Sequence, residues 1–231
     1  MASSLDTVAK PSISARKRAL VALLGAALLL CAGLGVWYGG RAAWADASTL
    51  RARWLVKAWR NGAGPKSSTT LWTETRNDLL AGLKMAPDNA QVLDDLAYLY
   101  AARAQGLGTP MPGSPQASLQ LSLFDQAIAS YRAAAALRPV FPYTWAHFAL
   151  AKHLRGEHDT EFWNAYDKAL KYGRNEAEVQ PTLGAIAFAQ WSSIGAERQQ
   201  VIKQMVATAV EKSRARLLEM AQQNGVSLPG V

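Results

Sequence analysis

A chain of 231 residues has room for one folded domain beside an anchor. Half of it is hydrophobic, alanine and leucine lead, and runs alternating Val, Ile and Thr are missing; this excludes a β-rich fold and predicts an all-α protein. The net charge of +8 lies wholly in residues 1–66, with ten Lys/Arg against two Asp/Glu, while residues 67–231 carry fifteen of each, so no nucleic-acid partner is expected and the basic excess reads as a membrane-surface feature.

Residues 1–18 form a basic N-terminus ending in Arg16, Lys17 and Arg18. Ala19 to Tyr38 follows as twenty uncharged residues, enough for a helix to cross a hydrocarbon core of about 30 Å. A transmembrane anchor is therefore expected over 19–40, with Trp37 and Tyr38 at an interface. The basic cluster before the span predicts a cytoplasmic N-terminus and a bulk domain on the other side, although Arg41, Arg51, Arg53 and Lys57 oppose the rule. Ala43-Trp44-Ala45 resembles a signal-peptidase site; the length of the apolar run and the intervening Arg41 favour a retained anchor. Cys31, the only cysteine, lies inside this run and reads as a small lipid-facing or packed residue.

Residues 41–66 read as a basic juxtamembrane helix and linker. Ala47, Leu50, Trp54 and Ala58 recur at helical spacing, and Arg53, Lys57 and Arg60 form a second stripe. The reading preferred is a helix lying on headgroups, with Trp44 and Trp54 at the membrane interface. The alternatives are an extension of the transmembrane helix or packing as the first helix of the domain. Asn61 to Ser68 is the linker.

The domain at 67–231 is expected to contain helices at 69–85, 89–104, 117–137, 142–155, 159–172, 176–192 and 196–223. A Gly/Pro-rich loop is inserted at 105–118, and the last helix caps the C-terminal end. Ala127, Tyr131, Ala134 and Pro139 are spaced by four, three and five residues, with Trp145 six further on. This is the pattern of a tetratricopeptide repeat: small residues let helices approach, an aromatic fills the gap, and proline ends the helix. The same frame gives Phe148-Ala149 and Leu183-Gly184 at the Leu-Gly positions, and Tyr166 and Ala169 in a later second helix. It also gives Leu93, Leu96, Ala97 and Tyr100 in an earlier first helix. The predicted architecture is thus an N-terminal transmembrane helix followed by a tetratricopeptide-like α-solenoid.

Signs of catalysis are weak. His153, Glu157 and His158 come near an H-x-x-E-H zinc pattern but miss it by one residue, and Gly156 interrupts the helix. The acidic run Glu157, Asp159, Glu161 reads as a solvated turn with Asp159 as N-cap. No P-loop, dinucleotide fingerprint or nucleophile elbow is present, so no cofactor, metal or catalytic residue is expected. The inner groove of such an array would be lined by Asp94, Tyr98, Tyr143, His153 and Phe188, aromatic with few charges and suited to an apolar helix or extended segment.

Ala136 to Trp191, and above all Arg138 to Lys152 (RPVFPYTWAHFALAK), resembles the VpsP-type proteins of bacterial exopolysaccharide gene clusters. Those are similar in plan: a basic N-terminus, one span and a small helical-repeat domain. The resemblance implies an accessory role in polysaccharide polymerisation or export and brings no catalytic residues; with the span and the basic cluster, the expected protein is a non-catalytic inner-membrane scaffold with its C-terminal domain in the periplasm. It would bind protein partners in a machine for polysaccharide synthesis or export. An assembly factor for another envelope complex, such as cytochrome maturation, and a glycan-active enzyme are the alternatives.

Overall fold

The computed structural model describes residues 15–228, with side chains from Lys17 onward. Most of the basic segment 1–18, including the Arg16 side chain, thus lies outside the described residues. Those described form nine helices and no strand, and the chain divides into two compact units, one ending at Trp44 and the other starting at Ala45.

Helix α1 (Ala15–Arg60) is unbroken. By length and composition it is long and apolar enough to cross a membrane. Leu28, Leu29, Val36, Trp37 and Tyr38 on its first part are all exposed, as is Trp44.

Its last part, from Ala45, belongs to the second unit, ahead of the expected domain start at 67. Ala45, Thr49, Ala52 and Val56 recur at helical spacing and are fully buried. These residues are small enough for helix α2 (Thr69–Met85) to come close. A Cβ added to Gly82 would stand 2.3 Å from Thr49 Cγ2. The Thr49 hydroxyl is satisfied within its own helix, donating to Ala45 O at 2.8 Å. Of the stripe expected to lie on headgroups, Ala47, Leu50 and Trp54 point away from this contact and remain exposed, whereas Ala58 is half-buried. Of two apolar stripes, the one that packs is the small-residue one, because it allows the closer approach. The linker then folds back, with Trp59 Nε1 donating to Pro65 O at 2.7 Å.

The following helices begin where their sequences supply a cap. Ser68, Asn89, Ser114 and Asp159 each accept a backbone N–H at the start of α2, α3 (Ala90–Gln105), α4 (Pro115–Leu137) and α6 (Thr160–Gly173). Proline opens α4 and also α5 (Pro142–Arg155), where its fixed φ suits the first helical turn. α5 ends on Gly156 at φ 85°, a left-handed conformation that favours glycine. Each helix from α2 to α6 packs on the next. Ala127, Tyr131, Ala134, Phe148, Ala149, Tyr166, Ala169 and Leu183 are all buried. Trp145 Nε1 donates to Pro139 O at 2.9 Å, tying the start of α5 to the turn before it. The inserted loop is anchored by Gln120, whose Nε2 reaches Ala104 O at 2.9 Å and Gly108 O at 2.8 Å.

The C-terminal region departs from the sequence reading. Helix α7 (Gln180–Ala189) is shorter than the expected 176–192. The single helix expected over 196–223 is two, α8 (Ala196–Thr208) and α9 (Glu211–Gln223). Ala209 and Val210 between them are extended, although neither is a helix breaker. A straight helix rises about 1.5 Å per residue and would run on past the end of the domain. The break lets Ile202, Met205 and Val206 be buried by α8 and Leu217 and Ala221 by α9. A Cβ on Gly184 of α7 would meet Leu217 Cδ2 at 2.5 Å.

Candidate functional site

Helices α1, α3, α5, α7 and α9 all contribute to one open cavity of about 770 Å³ in the second unit. Arg60, Tyr98, Tyr143, His147, Pro181 and Arg216 line it, with Tyr131 reaching in from α4 and Glu178 from the turn before α7. A recess of about 190 Å³ shares Arg60, Tyr131, Tyr143 and His147 and adds Asp94 and Phe141.

Helical spacing sets the polar groups. Tyr143 and His147 are one turn apart on α5, and His147 Nδ1 lies 2.8 Å from Tyr143 O. A carbonyl only accepts, so Nδ1 carries the proton and Nε2 is left as an acceptor. The ring stacks on Tyr131 at 6.1 Å between centroids. Burial, with the Arg60 charge in support, lowers the His147 pKa to about 4, so the ring is neutral at neutral pH. The Tyr143 hydroxyl donates to Glu176 at 3.3 Å.

Two adjacent carboxylates on α3 lie behind this face. Asp95 is buried and meets Arg60 at 3.4 Å, Arg53 at 3.7 Å and Gln91 Nε2 at 3.2 Å. Burial still pushes its pKa up to about 6, against the pull of Arg60, Gln91 and Arg53. Arg60 in turn sits over the Tyr98 ring, 4.8 Å from its centroid. Asp94 pairs with Arg138 and accepts from Thr144 Oγ1 at 2.9 Å; burial raises its pKa although Arg138 opposes the shift. Arg138 also donates to Ala90 O at 3.2 Å and covers the Phe141 ring at 4.3 Å.

A second polar cluster closes the α5–α6 turn. Lys152 is 2% exposed, with Nζ 3.0 Å from Glu157, 2.9 Å from Asp159 and 2.9 Å from Glu161. Burial works to lower its pKa, and the three carboxylates outweigh it, leaving it raised. Arg132 grips Glu161 with two bonds of 2.6 and 2.8 Å. That contact, joined by Lys152 and opposed by burial, holds the Glu161 pKa down to about 2. Asp159 caps α6 by accepting from Phe162 N at 2.9 Å.

Of the five residues expected in the groove, Asp94, Tyr98 and Tyr143 come together and two do not. His153 lies at the end of α5, its Nδ1 2.9 Å from His158 Nε2 and its ring stacked on Phe162. Phe188 is buried beside Trp191, because α9 packs on the face of α7 that was expected to be open. At the expected membrane-interface positions, Lys17, Arg18, Trp37, Tyr38, Trp44 and Trp54 are exposed. The cavity holds more charge than expected, since Arg60 and Arg216 come from helices outside the repeat frame. The sequence assigned Arg60 to a headgroup stripe and Tyr131 to the gap between packed helices, and gave His147 no role in a site. The four-residue spacing of Tyr143 and His147 was the available signal for their pairing. Among the described residues no three His, Cys, Asp or Glu side chains gather as a metal site. Comparison with protein-family models and with curated proteins finds no match to this chain.

Proposed function

We propose that this chain is a non-catalytic, single-pass adaptor of the bacterial inner membrane that serves exopolysaccharide synthesis or export. In this reading α1 is the anchor, the N-terminus is cytoplasmic and the helical domain is periplasmic. The domain is a short tetratricopeptide-like array that gathers protein components of the machine. The observation that carries the reading is the set of helices at the cavity: α1, α3, α5, α7 and α9 supply most of its lining, α4 adds only Tyr131, and α2, α6 and α8 do not reach it. Stacked helix pairs produce such a surface, because one helix of each pair lines the inner side. The polysaccharide assignment rests on the resemblance of Arg138 to Lys152.

Affinity purification of the tagged full chain from native membranes in mild detergent tests this. Polysaccharide polymerase or export proteins are the expected companions; cytochrome-maturation proteins in their place would favour the alternative. Tyr98→Ala, at a half-buried position in the cavity, should weaken capture by ~2 kcal/mol and leave the domain folded. Ala134→Trp, at a fully buried position, should overpack the α4 contact and loosen the domain by roughly 1–3 kcal/mol. Equal melting temperatures for the two variants would sink this division between surface and scaffold.

A further inference from the structure

The lining of the main cavity indicates what kind of molecule fits it. Its volume of about 770 Å³ lies within the roughly 300–1,000 Å³ of ordinary small-ligand sites. Charge at the two recesses is balanced, with Arg60 and Arg216 facing Asp94 and Glu178. Arg60 and Asp94 are further engaged behind the surface by Asp95 and Arg138. A strongly charged ligand therefore has no net field to meet. A purely apolar ligand would strand the His147 acceptor and part of the guanidinium of Arg60 away from water. Tyr98 and Tyr143, both half-buried, offer ring surface with a polar edge. His147 Nε2 is an acceptor in a fixed orientation, because its ring is held by Tyr143 O and by Tyr131. Asn61, Gln105 and Thr182 add donor and acceptor groups around the same space. A pyranose matches this set: its C–H faces suit aromatic rings, and its hydroxyls both donate and accept.

We propose that the cavity binds a neutral oligosaccharide segment directly, with sugar hydroxyls donating to His147 Nε2 and to the Tyr143 hydroxyl oxygen and accepting from Arg60. The inference rests on the adaptor reading and deepens it: the protein would hold the polymer as well as the machine. No bond is made or broken.

The test uses the full chain in lipid nanodiscs with neutral gluco-, galacto- and manno-configured tetrasaccharides, followed by saturation-transfer NMR. At least one should receive saturation. Tyr143→Phe and His147→Gln should each weaken its binding about fivefold, the effect of one lost hydrogen bond of ~1 kcal/mol. Circular dichroism and thermal melts confirm folding of both, and Tyr172→Phe, at an exposed position outside the cavity, should bind as the wild type does. No transfer to any of the sugars, transfer insensitive to both cavity variants, or transfer only to uronate oligomers would overturn the proposal. So would a polypeptide captured by a photo-crosslinker at position 143 without any sugar signal. Polysaccharide-machine proteins retained on the purified chain while sugar binding fails would sink the ligand alone; their absence would sink the adaptor reading.

Discussion

The two ion clusters of the domain use the same residue types to opposite effect. At the α5–α6 turn one buried lysine sits among three partly exposed carboxylates, and Glu161 is held to about 2. Behind the cavity two buried carboxylates on α3 sit among partly exposed arginines, and Asp95 is pushed up to about 6. Which member of the pair loses water decides the outcome. The turn cluster keeps its anions in contact with solvent, so it works as a clamp that ionises easily. The α3 cluster keeps its anions dry, so its arginines are held in place at the cost of two strained carboxylates beside an open site.

Removing one member of each cluster separates them. Asp94→Ala should have the largest effect, about 3–5 kcal/mol of stability by chemical denaturation, since it leaves Arg138 without its carboxylate. Arg138 Nε already has no hydrogen-bond partner. Lys152→Met should lose less, about 1–3 kcal/mol, because the carboxylates left behind are 37–55% exposed and regain water. The reverse order would erase the distinction between dry anions and a dry cation.

Acidification comes next. An unfolded histidine takes a proton near pH 6.5, whereas His147 in the folded domain resists until about 4. Stability should therefore fall as pH drops through that window. Asp95, protonated more readily in the folded state, acts in the opposite sense between about 6 and 3.8 and offsets part of the loss. Melting temperatures compared at about pH 7 and 5 should fall by several degrees for the wild type and by less for His147→Gln. The remaining slope includes His153, which is lowered by burial and by His158. An identical slope in the variant would show that His147 is not desolvated. Arg132→Ala should matter least, under about 1 kcal/mol, because the pair is about half exposed and Lys152 still holds Glu161.

Local chemistry was legible in the sequence, and distant pairing was not. The all-helical class, the Asp159 cap and the Gly156 turn follow from residues a few positions apart. The Lys152 cluster spans nine positions and was half visible as an acidic turn. The bond from Arg138 to Asp94 crosses 44 positions, and that from Arg60 to Asp95 crosses 35; no periodicity announces either. The break at Ala209 and Val210 was equally hidden, since burial of Leu217 against α7 imposes it and no local breaker does. Phe188 was misplaced for the same reason: α9 covers it from outside the repeat frame.

The first buried residue of the domain, Ala45, is also the last residue of the Ala43-Trp44-Ala45 tripeptide. A protease acting after Ala45 would remove the apolar segment together with that one buried alanine and the carbonyl to which Thr49 donates, leaving Thr49 the Asp46 carbonyl at 3.2 Å. Asp46 would become the new terminus, already bonded to Arg53 at 3.0 Å and to Asn89 at 3.2 Å. A cut at this helical turn would separate the apolar segment from the folded unit at the cost of one buried side chain and one side-chain hydrogen bond.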